Sequence, residues 1–163
     1  MKSDMIQRHL SIDYIEYSCA EEMEQQDREL VAAAEKARLG SYSPYSHFSV
    51  GAALRLEDGT VVLGSNQENA AYPSGICAER TAMFAASANY PGMAFDTLAI
   101  VAGLHDETCG EPATPCGACR QVMAEYQTKG GRPLKVILAG ADKIYKFSKV
   151  DDLLPLIFDS LGA

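Results

Sequence analysis

Between residues 61 and 139 the chain alternates two kinds of hydrophobic pattern, and this limits the available folds more than any other feature. "TLAIVA" (97–102) and "LKVILA" (134–139) are short apolar runs, the signature of strands buried on both faces. "AERTAMFAASAN" (78–89) and "GACRQVMAEYQ" (117–127) read instead as helices. Upstream, "FSVGAALRL" (48–56) places Phe48, Val50, Ala52, Leu54 and Leu56 on one strand face, and Asp58-Gly59 turns the chain into "VVLGS" as a hairpin. Strand, helix, strand, helix, strand implies parallel crossovers beyond an antiparallel hairpin. The expected fold is α/β, a three-layer α-β-α sandwich with a mixed sheet of about five strands.

"SCAEEMEQQDRELVAAAEKARLG" (18–40) reads as the first helix. Ser18 and Glu21 are spaced as a capping box, Met23, Leu30, Val31 and Ala34 form an apolar stripe, and Gly40 is a stop signal. There is no internal repeat, low-complexity tract or linker. A chain of 163 residues suits one domain and buries roughly 70% of its unfolded surface. Residues 18–163 are read as that domain and 1–17 as an N-terminal extension. The opening residues lack the apolar run of a signal peptide, and no stretch approaches the ~18 apolar residues of a membrane span. A soluble, cytoplasmic protein with no membrane partner is expected. With 14 basic against 22 acidic side chains the net charge is −8, which repels phosphate backbones and makes a nucleic-acid polymer a poor partner. A small, weakly charged ligand fits better.

Five cysteines are an odd number, and in a reducing compartment free thiols point to metal binding or catalysis rather than bridging. Cys77 falls just before one expected helix, and Cys116 and Cys119 open the next. Neighbouring crossover helices bring their N-termini to one edge of the sheet, where α/β folds bind ligands. Helix N-termini also favour thiolate over thiol. Three thiolates and no evident fourth ligand describe a zinc site with an open position, as in catalytic rather than structural centres. Two other readings stay open: a structural four-cysteine site that includes Cys109, and a redox pair of Cys116 and Cys119. Glu79, two residues after Cys77 and turned away from it by roughly 200° of helix, is a candidate to lie beside the metal without ligating it and to carry protons.

These residues carry a resemblance. "C-A-E…P-C-x-x-C" matches the three-cysteine form of the zinc nucleobase deaminase signature, and "SPYSHFSVGAAL", "NQENAAYPSGICAERTA" and "PCGACRQVMAEY" resemble the short, homotetrameric cytidine deaminases over about residues 20–158. The resemblance implies hydrolytic deamination of cytidine and deoxycytidine within pyrimidine salvage. It implies one zinc per subunit on Cys77, Cys116 and Cys119, with Glu79 as the proton carrier. Asn66 and Glu68 would bind the ribose 3′-hydroxyl, and Phe48, Asn69 and Ala78 would also face the substrate. Tyr72 and Phe158 would be lent across subunit boundaries, giving shared active sites. Arg80 would hydrogen-bond the ligand sulfurs and offset their charge, with Arg120 as the alternative cation.

The sequence departs from the family in residues 1–17, in "HDETCGEPAT" (105–114), which looks enlarged, and at Ala71. His9, His47 and His105 lie outside the ligand positions and are expected to be non-catalytic. Two further functions compete: deamination of a cytosine-containing antibiotic, and a non-catalytic zinc-stabilised binding module that leaves Glu79 without a task.

Overall fold

The computed structural model describes residues 5–104 and 107–159; His105 lies outside them. Helix α1 (Gln25–Arg38) is followed by the hairpin β2 (Phe48–Leu56) and β3 (Val61–Ser65), with β1 (Ile15–Tyr17) ahead of it. Then come α2 (Ala78–Asn89), β4 (Phe95–Leu104), β5 (Glu107–Thr108), α3 (Gly117–Gly130), β6 (Lys135–Ala139) and β7 (Ile144–Phe147). The strands form one sheet in the order β1-β7-β6-β4-β2-β3, with β5 paired to the end of β4. Among the strands of the described residues, only β4 and β6 pair in parallel. Because β3 and β4 both run antiparallel to β2, they point the same way, so β3-α2-β4 and β4-α3-β6 are both crossovers. The mixed sheet expected from the sequence is present, with seven strands among the described residues rather than about five; β2, β3, β4 and β6 are the four located from the sequence. The added β1, β5 and β7 span two to four residues each, too short to show a period of two.

Parity along the central strands builds the layers. Leu98 and Ile100 of β4, with Val136 and Leu138 of β6, pack with Met83 and Ala86 of α2 and Met123 of α3. The intervening Ala99, Val101, Ile137 and Ala139 face Leu30 and Ala34 of α1. On that second face the small residues allow a close approach: a Cβ on Gly51 would stand 2.0 Å from the Ala34 carbonyl oxygen. On the first face Gly64 plays the same part, since a Cβ there would meet the Ala78 carbonyl oxygen at 2.4 Å. Gly64 therefore seats the first turn of α2, the turn that carries Cys77 and Glu79, directly on β3.

Helix α1 starts later than the capping-box spacing predicts. Residues Ala20–Glu22 form a single 3₁₀ turn, and the Ser18 backbone N–H donates to Glu22 Oε2 at 2.9 Å rather than Ser18 capping a helix. Met23 then adopts extended backbone with its side chain buried, and the helix restarts after Glu24. Anchoring Met23 in the core between two helical pieces overrides the local signal. Asp27 in the first turn of α1 is 2% exposed and pairs with Lys146 Nζ at 2.6 Å and Arg55 Nη2 at 3.0 Å. Arg55 in turn reaches Asp96, which also meets Arg132 and Lys135. This ion network joins α1 to four strands. None of the helices among the described residues is long and apolar enough to cross a membrane.

Candidate metal centre and active site

Cys77 is the residue preceding α2, and Cys116 the residue preceding α3; neither side chain caps its helix. Both sulfurs are thus free of backbone duties and stand where the helix dipoles favour negative charge. Cys119, in the first turn of α3, is fully buried. The three Sγ atoms lie within 4.8 Å of one another, with Cys116 and Cys119 at 3.5 Å. Thiolates bound tetrahedrally to zinc at ~2.3 Å would stand about 3.8 Å apart, so the donor set fits that ion. Cys109 is outside this cluster. Its N–H donates to the Ala102 carbonyl and its carbonyl accepts from Ala141 N–H, which ties it between β4 and the turn joining β6 to β7. The structural four-cysteine reading is therefore set aside.

The sulfurs are electrostatically unequal. Cys77 is pushed down to about 5, chiefly by the hydrogen bond from Cys119 and then by Arg80, against the opposing effect of burial. Cys119 moves upward because it holds the shared proton and is buried. Metal binding replaces that proton. Arg80 Nη2 donates to Cys77 Sγ at 3.4 Å, and Arg80 Nε is buried without a hydrogen-bond partner among the described residues. Arg120, the alternative cation, is committed elsewhere: its Nε donates to the Pro115 carbonyl and its Nη1 to the Leu153 carbonyl, both at 2.8 Å.

Glu79 is 5% exposed. Burial raises its carboxyl above the usual carboxylate range, and the charge on Cys77 pushes the same way. Glu79, Cys77, Cys116 and Arg80 border a cavity of about 680 Å³, within the ~300–1,000 Å³ of small-molecule sites. Phe48 and Ala78 line it as well. Asn66, Glu68, Asn69 and Tyr72 contribute a further, polar and aromatic part of its wall. Phe158 does not line the cavity; it is 67% exposed, and its carbonyl accepts from Gln121 Nε2 at 2.7 Å.

Two serines that sequence reasoning missed hold this wall. The Ser46 hydroxyl donates to Glu68 Oε1, and it holds the Glu68 carboxyl below its usual range. Tyr45 and Ser46 backbone N–H groups donate to Glu68 Oε2 at 2.9 and 3.2 Å. Ser41 Oγ donates to Asn66 Oδ1 at 2.6 Å. Nothing in "SYSPYS" marks which hydroxyl will meet a residue more than twenty positions later. His47, with φ of 55°, occupies the turn into β2, away from the sulfur cluster.

A mixed α/β sandwich with three converging thiolates and a buried carboxylate on one cavity defines a zinc-dependent hydrolytic centre. The model for the cytidine and deoxycytidylate deaminase zinc-binding region matches residues 24–130. The chain belongs to this family. It is 50% identical over 129 residues to a cytidine deaminase of Halalkalibacterium halodurans, covering 79% of this chain and 91% of the relative. With a cytidine deaminase of Sporosarcina psychrophila it shares 53% over 98 residues, 60% of this chain and 67% of the relative. Among solved structures, cytidine deaminase from Burkholderia pseudomallei superposes with a TM-score of 0.68 at 43% identity, covering 83% of this chain and 100% of that one. The enzyme from Mycobacterium tuberculosis superposes at 0.63 and 36% identity, covering 81% and 96%.

Proposed function

We propose that this protein removes the amino group of cytidine and deoxycytidine by hydrolysis, giving uridine or deoxyuridine and ammonia in pyrimidine salvage. The observation that carries the reading is Glu79, a buried carboxylate with a raised proton affinity beside three sulfurs that fit zinc. Zinc bound by Cys77, Cys116 and Cys119 supplies the Lewis acidity that makes water a nucleophile near neutral pH. Glu79 takes one proton of the attacking water and passes it to ring nitrogen N3 as the C4–O bond forms; it then takes the remaining proton of the new C4 hydroxyl and delivers it to the amino group, which leaves as ammonia as the C4–N bond breaks and the carbonyl forms. Arg80 offsets the charge of the thiolates through Cys77. A zinc-stabilised binding module would have no use for a carboxylate buried at that point.

The wall supports a nucleoside rather than a free base. Among the described residues, the Asn66 amide directs one N–H to the Phe48 carbonyl, leaving its second N–H as a donor. Glu68 accepts three hydrogen bonds of the roughly four a carboxylate can take, leaving one acceptor site. One donor beside one acceptor suits a hydroxyl such as the ribose 3′-OH, and a substrate lacking it leaves both unpaired. Phe48, Asn69 and Ala78 complete the base and sugar contacts in this reading.

The same proposal extends to a homotetramer with shared sites. Tyr72 is 77% exposed and Phe158 67% exposed, and burial of such a side chain against a neighbouring copy contributes roughly 1.5–3 kcal/mol. Hybrids of Glu79→Gln and Phe158→Ala protomers should exceed the summed activity of the separate variants at low substrate; additive activity in confirmed hybrids removes the shared site. All five cysteines are free, which suits a cytoplasmic location. Residues 18–163 serve as the deaminase domain, with residues 1–17 an extension anchored through β1.

An absorbance assay of the zinc-loaded protein with cytidine, deoxycytidine, cytosine and a cytosine-containing antibiotic tests the function. Turnover of the two nucleosides and not of cytosine is expected. Turnover of the antibiotic alone, or of nothing, overturns the proposal.

A further inference from the structure

The part of the cavity wall that holds Asn66 and Glu68 is strung on hydroxyl groups, and one string ends on Asn66. Asn66 Oδ1 accepts from Ser41 Oγ at 2.6 Å and from Val50 N–H at 2.8 Å, while Nδ2 donates to the Phe48 carbonyl at 2.9 Å. Both lone pairs of the amide oxygen are therefore used. Ser41 Oγ also stands 3.2 Å from Ser43 Oγ. A hydroxyl has one hydrogen to give, and Ser41 gives it to Asn66, so Ser43 donates to Ser41. The order of donors is Ser43, Ser41, Asn66.

An asparagine amide turned by half a circle exchanges its oxygen and nitrogen at almost no steric cost, and only its partners decide which way it faces. Turned over, Asn66 would set its NH₂ against the Val50 N–H and its oxygen against the Phe48 carbonyl, two mismatched pairs. The Val50 N–H and the Phe48 carbonyl, which cannot exchange roles, therefore decide the facing; the Ser41 hydroxyl takes the donor role that this facing leaves to it and ties the amide to residues 41–43, outside the sheet. In that orientation the unused amide N–H, not an oxygen, serves the ligand. Ser41 itself does not line the cavity.

We propose that Ser41 is a positioning residue that anchors the Asn66 amide, whose facing the two backbone partners set, and thereby tunes recognition of the substrate's sugar hydroxyl. The inference rests on the assignment of Asn66 and Glu68 to that hydroxyl. Since Val50 N–H still holds the amide oxygen when Ser41 is removed, the effect is partial. Since Glu79 and the sulfurs are untouched, it falls on substrate binding.

The test is a kinetic cycle on the zinc-loaded enzyme with cytidine and 3′-deoxycytidine, using Ser41→Ala, Ser41→Thr and Asn66→Ala, with thermal unfolding as a folding control. Ser41→Ala is expected to raise KM for cytidine about 3- to 10-fold with kcat within about two-fold, the loss of one hydrogen bond used equally in ground and transition states. It should leave KM for 3′-deoxycytidine unchanged, and Ser41→Thr, which keeps the hydroxyl, should restore the cytidine value. If Asn66→Ala discriminates between the two substrates while Ser41→Ala affects both alike or neither, the role of Ser41 is overturned and the Asn66 assignment stands. If Asn66→Ala also treats both substrates alike, the assignment itself is wrong and the role of Ser41 falls with it.

Discussion

The two ends of strand β2 are both polar and both gripped by distant parts of the chain, yet they are finished differently. At the Arg55 end, Nε meets Asp96, Nη1 the Gln26 carbonyl, and Nη2 Asp27 and Thr97. Asp27 is completed by Lys146. No buried side-chain atom of this network lacks a partner among the described residues. At the Phe48 end, among the described residues, Asn66 and Glu68 keep one donor and one acceptor in hand, and Arg80 on the same cavity has a buried Nε with no hydrogen-bond partner. A polar cluster that satisfies itself has little left to bind with and serves to order the fold. One that stops short of saturation stores binding capacity, at the expense of stability.

The sharpest way to break this comparison is at Glu79. Glu79→Gln keeps the size and most hydrogen bonds while abolishing proton transfer, and turnover should fall by ~10²–10⁴-fold with zinc retained at one per chain by metal analysis. Loss of zinc would make Glu79 a ligand instead. At the other end the sign reverses. Arg55→Met leaves Asp27 and Asp96 short of a partner, and urea unfolding should show a loss of about 3 kcal/mol, the low end for a broken buried pair because Lys146 still faces Asp27. Turnover per folded molecule should stay the same; a large fall would mean the two ends communicate.

Arg80→Gln should keep the unfolding midpoint and reduce zinc affinity or turnover by about 10- to 100-fold, the usual consequence of losing a group that supports metal ligands. Unchanged metal content and turnover would return Arg80 to a surface role. The smallest effect concerns acid. The Asp96 carboxyl is held below its usual range: burial pushes the other way and is outweighed by the Thr97 hydroxyl, Arg55 and Lys135. Its contribution is complete above the unfolded value of about 3.9 and disappears as pH falls through the lower folded value. Asp96→Asn should therefore flatten the acid limb of a stability–pH curve below pH ~4, by roughly 1 kcal/mol or less given its partial exposure.

Much of the fold and of the chemical centre is legible in the sequence, because both depend on local spacing. Helices α2 and α3 and strands β2, β3, β4 and β6 follow from short-range periodicity. Cys77, Glu79, Cys116 and Cys119 become a cluster once two crossovers place two helix N-termini at one sheet edge. Tertiary structure alone decided what depends on partners far apart in sequence. Met23 and Asp27 delayed α1 against its capping signal because one was wanted in the core and the other in an ion network. The strands β1, β5 and β7 are recognisable only by what they pair with. Ser41 and Ser46 look like ordinary turn residues until Asn66 and Glu68 fold back onto them. The physical reason is the range of the forces: periodicity and helix dipoles act within a few residues, whereas a hydrogen bond between positions 41 and 66 exists only after the hairpin between them has closed.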